Sequence, residues 1–127
     1  VVKKLLPTLA LLLGFSPALA QTPNPVTPRA CTNTAIATGG TAVTVVSGPV
    51  NGAFVYNPPN AASQGIGAAE NLYIDMVGTP GSTDAAGNGT TATIVPGQNY
   101  QIPMLAPNVL VKMNAATSGH KVTGVCF

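Results

Sequence analysis

Cysteine occurs twice in this chain of 127 residues, at positions 31 and 126, and that placement constrains the fold more than any other feature. A bond between Cys31 and Cys126 would staple the last strand to the first and close everything between them into one domain. The interval suits such a closure. In the last third, GTTATIVPGQNYQIPMLAPNVLVKMNAATSGHKVTGVCF over 89–127, short apolar runs alternate with Gly, Pro and Asn turns. Runs of that length between such turns read as strands.

The first residues read as an address. Lys3 and Lys4 form a basic start, residues 5–15 are an apolar run too short to span a bilayer, and Ala18-Leu19-Ala20 supplies small residues around a cleavage point. This is the pattern of a secretory signal peptide over 1–20, with cleavage before Gln21. The expectation is export, to a bacterial periplasm or the medium, with no transmembrane segment after cleavage. An oxidising compartment favours one Cys31–Cys126 disulfide. The alternative, a reactive thiol at Cys126, has no histidine near it in sequence.

Cleavage leaves about a hundred residues, enough for one domain with a modest core. It also removes Lys3 and Lys4, so Arg29, Lys112 and Lys121 balance Glu70, Asp75 and Asp84, and the whole-chain charge of +2 belongs to the leader. A neutral surface without a basic stripe excludes nucleic acid held through counterion release.

After the leader, QTPNPVTPR over 21–29 is a proline-rich linker. The domain is expected over 30–127, with 31–37 as an edge strand carrying Cys31. Further strands are expected at 41–46, 52–56, 72–76, 90–95, 99–103, 108–113 and 120–127, where β-branched or alternating residues sit between turn signals. The stretch NAASQGIGAAE over 60–70 has room for one helical turn, and Gly65 and Gly67 argue against a longer helix. Residues 78–89 form a turn-rich excursion. About seven short strands at regular spacing indicate an all-β fold, a single small Ig-like β-sandwich, with a small barrel as the lesser option. The 41–46 strand, if exposed at an edge, is a place for strand addition by another chain.

Catalytic chemistry has little to work with. The single histidine, His120, lies in Ser118-Gly119-His120-Lys121 at a hairpin mouth, where a half-exposed strand-start residue is expected. No G-x-S-x-G elbow accompanies it. Glu70 and Asp75 are the carboxylates nearest each other, and both read as solvated. One histidine with two oxidised cysteines offers too few ligands for zinc, and DAAGNG over 84–89 lacks the alternating oxygens of a calcium loop. No metal or cofactor is expected. Along 72–76, Leu72, Ile74 and Met76 claim one face and Tyr73 and Asp75 the other, which makes Tyr73 the best candidate for an exposed, ligand-facing ring.

The segments Glu70-Asn71-Leu72-Tyr73-Ile74-Asp75, Gly87-Asn88-Gly89-Thr90-Thr91, Pro96-Gly97-Gln98 and Asn114-Ala115-Ala116-Thr117-Ser118-Gly119-His120-Lys121 carry a resemblance. Over roughly residues 40–127 the chain resembles small β-rich proteins encoded in bacteriophages and prophages of alphaproteobacteria. The resemblance implies a virion-associated or accessory structural role and brings no catalytic residues. The leader and the cysteine pair depart from it and favour an exported relative. The expectation is a secreted, non-catalytic structural or interaction module whose partner is another protein or a cell-surface component. Two rivals stand beside it: a small ligand-binding module, for glycans, using 60–70, 78–89 and Tyr73; and a small hydrolase around His120, Glu70 and Asp75.

Overall fold

Strand-forming residues can be read along this chain, but which strands meet is decided in three dimensions. A computed structural model describes residues 26–81 and 90–127. The expected leader, the linker as far as residue 25 and the 82–89 part of the excursion lie outside the described residues. Within them the order is β1 (Arg29–Ala30), β2 (Val43–Ser47), β3 (Ala53–Tyr56), α1 (Ala61–Gln64), β4 (Leu72–Asp75), β5 (Thr91–Ile94), β6 (Asn99–Ile102), β7 (Leu110–Asn114) and β8 (Thr123–Cys126).

Pairing is nested. β1 pairs with β8, β2 with β7, β3 with β6 and β4 with β5, all antiparallel. The chain is therefore one long hairpin whose tip lies between β4 and β5. Single bridges carry the ladder round two of its corners, Ala35 to Lys121 and Val50 to Leu105. A third corner is held by Asn57 N–H to the Gln98 carbonyl at 2.9 Å and Gly97 N–H to the Asn57 carbonyl at 2.8 Å. Rolled up, the hairpin places alternate rungs in opposite sheets, ordered β1-β8-β3-β6 and β2-β7-β4-β5. The β3–β8 and β4–β7 pairings knit each sheet together.

The expected all-β sandwich with joined terminal strands is present. Among the described residues its strands number eight, and their nested order is that of a jelly roll, where the sequence suggested about seven in an Ig-like form. The edge strand expected over 31–37 does not form, apart from the single Ala35–Lys121 bridge. Its place beside β8 is taken by β1, two residues directly before Cys31 and preceded by prolines that mask them in sequence.

The core lies between the sheets, built from Ile36, Val45, Val55, Leu72, Ile74, Ile94, Val111 and Met113 with their neighbours. Fully burying a side chain of this kind contributes about 1.5–3 kcal/mol. In β2 the register against β7 shifts between Thr44 and Val46, and this bulge lets the consecutive Val45 and Val46 both be buried. Cys31, directly after β1, bonds Cys126 at the end of β8 across a sequence separation of 95. Gly124 makes room for the bridge, because a Cβ there would stand 3.0 Å from the Cys31 Cβ.

β2 is an edge strand, but its outer side is occupied. Thr32 N–H donates to the Val45 carbonyl at 2.9 Å, and Asn33 Nδ2 donates to the Thr44 carbonyl at 2.6 Å. The chain thus covers with its own residues part of the edge on which strand addition was expected.

Candidate functional site

The residues with chemical potential gather at one end of the sandwich, where the β3–β4 connection meets the β7–β8 connection. β3 stops because Pro58 and Pro59 offer no N–H to a ladder. Asn60 then caps α1: its Oδ1 accepts from Ser63 N–H at 3.0 Å, and Ser63 Oγ lies 3.3 Å from the Asn60 N–H. Gly65, at φ 76°, ends the turn in the left-handed conformation that glycine adopts without strain. One helical turn is what the sequence allowed, and its effect is to aim Gln64 inward, where it is fully buried.

The β7–β8 connection arrives from the other side. Lys121 N–H donates to the Gln64 carbonyl at 2.7 Å, and Ile36 N–H donates to the His120 carbonyl at 2.9 Å. Held so, His120 is completely buried, not half-exposed as expected. Its Nδ1 lies 2.9 Å from Glu70 Oε1 and its Nε2 lies 2.9 Å from Asn57 Oδ1. Asn57 Nδ2 donates to the carbonyls of Glu70 at 3.0 Å and Ile94 at 2.8 Å. Gln64 Nε2 lies 2.9 Å from both Asn57 Oδ1 and the Pro58 carbonyl, while Gln64 Oε1 accepts from Glu70 N–H at 2.9 Å.

Glu70 is half-buried, and its carboxylate is fully engaged. Oε1 accepts from Thr117 N–H at 3.0 Å as well as facing His120, and Oε2 accepts from Thr117 Oγ1 at 2.9 Å. Burial raises the pKa of this carboxyl, but the hydrogen bonds from His120 and Thr117 outweigh burial and hold it below the ordinary glutamate value.

Asp75 does not join this cluster. It ends β4, and at about 3.3 Å per residue the strand puts it on the order of 15 Å from Glu70. It too is buried rather than solvated. Its Oδ1 accepts from the N–H groups of Val77 and Gly78, each at 2.7 Å, and its Oδ2 accepts from the hydroxyls of Thr90 at 2.8 Å and Thr91 at 3.1 Å. Burial raises this carboxyl as well, and the four hydrogen bonds more than offset it, so its pKa lies below the ordinary aspartate value. Asp75 is the clasp at the neck of the hairpin tip.

Tyr73 is not the exposed ring that the alternation along 72–76 predicts. Only 7% of it is exposed. It faces outward, paired across the sheet with Thr93 and Asn114, but the chain beyond β4 folds back over that face. Pro80 is buried, and its carbonyl accepts from Asn114 Nδ2 at 3.0 Å. Lys112 Nζ donates to Thr79 Oγ1 at 3.0 Å alongside.

The arrangement therefore brings His120 and Glu70 together and leaves Asp75 and Tyr73 elsewhere. Sequence reasoning missed Asn57, Gln64 and Thr117, which look like ordinary turn residues. The one available signal was the density of side-chain amides beside paired prolines. A triad needs a ring nitrogen aimed at a nucleophile. Here both ring nitrogens meet acceptors, and Ser118 Oγ is turned away to accept from Gly39 N–H at 2.8 Å. Among the described residues no group of three His, Cys, Asp or Glu side chains could hold a metal ion.

The opposite end is apolar. Val77 and Met104 are 83% and 74% exposed, and Leu110 is partly exposed. A groove of about 510 Å³ there is lined by Met76, Val77, Val109 and Leu110 together with the polar Thr79, Asn108 and Lys112. Beside it, Gly48 N–H donates to the Val109 carbonyl at 2.9 Å, which joins it to the corner carrying Pro49, Met104 and Phe127.

Fold and site together define a disulfide-closed jelly-roll module with a buried polar junction at one end and an apolar loop surface at the other. No protein-family model, curated protein or solved structure matches the chain.

Proposed function

We propose that the protein is an exported, non-catalytic structural or interaction module that engages a protein partner through the apolar loop end of its sandwich. One observation carries this reading. The histidine on which any catalysis would rest has both ring nitrogens committed inside the fold, to Glu70 and Asn57. The disulfide fits an oxidising compartment, and among the described residues no helix is long and apolar enough to cross a membrane. A setting in a phage or prophage, as an accessory or virion-associated component, belongs to the same proposal. The glycan-binding reading relied on Tyr73 as an exposed ring, and its burial removes that support.

The experiment is fractionation of a producer culture with mass spectrometry of the intact protein. It expects a chain beginning at Gln21, two hydrogens lighter than its reduced form, co-isolating with an envelope or particle protein. Val77→Asp combined with Met104→Asp should abolish that association without lowering Tm. A cytoplasmic protein with its leader intact would overturn the proposal. So would turnover of ester or glycoside substrates by the purified protein.

A further inference from the structure

We propose that Glu70 and His120 form a proton-dependent latch between the β3–β4 and β7–β8 connections, closed while His120 carries protons on both ring nitrogens. The inference starts from Asn57. Its Nδ2 lies within hydrogen-bond distance of two carbonyl oxygens, of Glu70 and Ile94, which can only accept. That fixes the amide, so the atom facing His120 Nε2 is Oδ1, an acceptor. Nε2 must therefore donate. The other nitrogen, Nδ1, faces Glu70 Oε1, which already accepts from Thr117 N–H. With Glu70 ionised, that contact is attractive only if Nδ1 donates too. An imidazolium satisfies every atom of the cluster, and among the described residues no buried side-chain nitrogen or oxygen lacks a partner.

A neutral ring does not fit. With its proton on Nε2, the bare Nδ1 lone pair of the fully buried ring would face the half-buried carboxylate's oxygen at 2.9 Å. Turning the ring over would set carbon atoms against both acceptors. Glu70 is the charged group facing the ring. Lys121, next in the chain, lays its stem against Gly65, with its Cδ and Cε each 3.2 Å from where a Cβ would stand. Asn57, Gln64 and Ile36, from the other segments packed on His120, are neutral.

The sign follows by linkage. An imidazole in the unfolded chain gives up its proton around pH 6.5. If the folded chain keeps it, the unfolded state binds fewer protons above that pH, and stability falls as pH rises. One proton sets the limit, roughly a tenfold loss in the folding constant per pH unit. Opening is local first, because the ion pair ties the two connections at their crossing, where Lys121 N–H donates to the Gln64 carbonyl.

The test is imidazole ¹⁵N NMR of the oxidised wild-type protein at pH 6, with urea midpoints between pH 6.5 and 9 for the wild type and Glu70→Gln. The expected result is protons on both ring nitrogens, a midpoint that falls with rising pH, and faster exchange of the Lys121 amide as it falls. Glu70→Gln should flatten the profile, because it removes the carboxylate charge that holds the second ring proton. One bare ring nitrogen at pH 6, a flat wild-type midpoint, or a variant as pH-sensitive as the wild type would each overturn the latch.

Discussion

Asp75 and Glu70 are both held by hydrogen bonds that only their ionised forms can fully accept. At Asp75 these are two backbone N–H groups and two threonine hydroxyls; at Glu70, Thr117 and His120. Each carboxyl therefore has a folded pKa below its ordinary value. The stability they contribute is complete above the unfolded-state values, about 3.9 for Asp and 4.3 for Glu, and drains away as pH falls through the lower folded values. Urea midpoints should decline below about pH 4, and Asp75→Asn should make that acid limb shallower while lowering the midpoint at pH 7. A variant with the wild-type acid limb would show that the clasp contributes nothing to it. These roles were not legible in the chain. Alternation along 72–76 separates two faces of a strand, but whether the second face is wet depends on where residues 79–80 return, and local pattern carries no such information. Tyr73 and Asp75 were misread for that reason, and His120 because a Gly-His-Lys turn looks solvent-facing until two other connections close over it.

At the level of elements the sequence was more informative. β-branched runs marked β2 and β5, alternation marked β4, and their ends fall within a few residues of the expected ones because Gly and Pro punctuation is a local signal. The nested pairing was invisible, since partners such as β2 and β7 are chosen by burial across the sandwich. α1 shows how a weak element can matter. A single turn does not persist alone, and this one is kept by the Asn60–Ser63 cap, the Gly65 terminus and the Lys121 hydrogen bond. Gly65→Ala forces a side chain into the left-handed region, at about 1–2 kcal/mol, and brings a methyl within 3.2 Å of the Lys121 stem. The expected outcome is a loss of at least about 1 kcal/mol by chemical denaturation. An unchanged midpoint would mean that the turn can unwind without disturbing the Gln64 junction.

Over the whole molecule, the disulfide sits at the open base of the long hairpin, beside the β1–β8 pair. Closing nearly the whole domain into one loop should stabilise it by about 4–5 kcal/mol in the chain-entropy model, a large share for a domain of this size. Denaturant unfolding with and without reductant, or of Cys31→Ser paired with Cys126→Ser, measures it directly. A loss below about 1 kcal/mol would show that the unfolded chain is already compact.

The same bridge decides how the domain bears tension. A load applied from outside the cysteines runs from Cys31 through the sulfur atoms to Cys126 and bypasses every rung of the ladder except β1–β8. Oxidised, the domain would answer such a load as a short, nearly inextensible link. Reduced, it becomes a zipper, pulled open rung by rung from β1–β8 towards the tip. Redox state then decides whether such a load reaches the inner rungs at all.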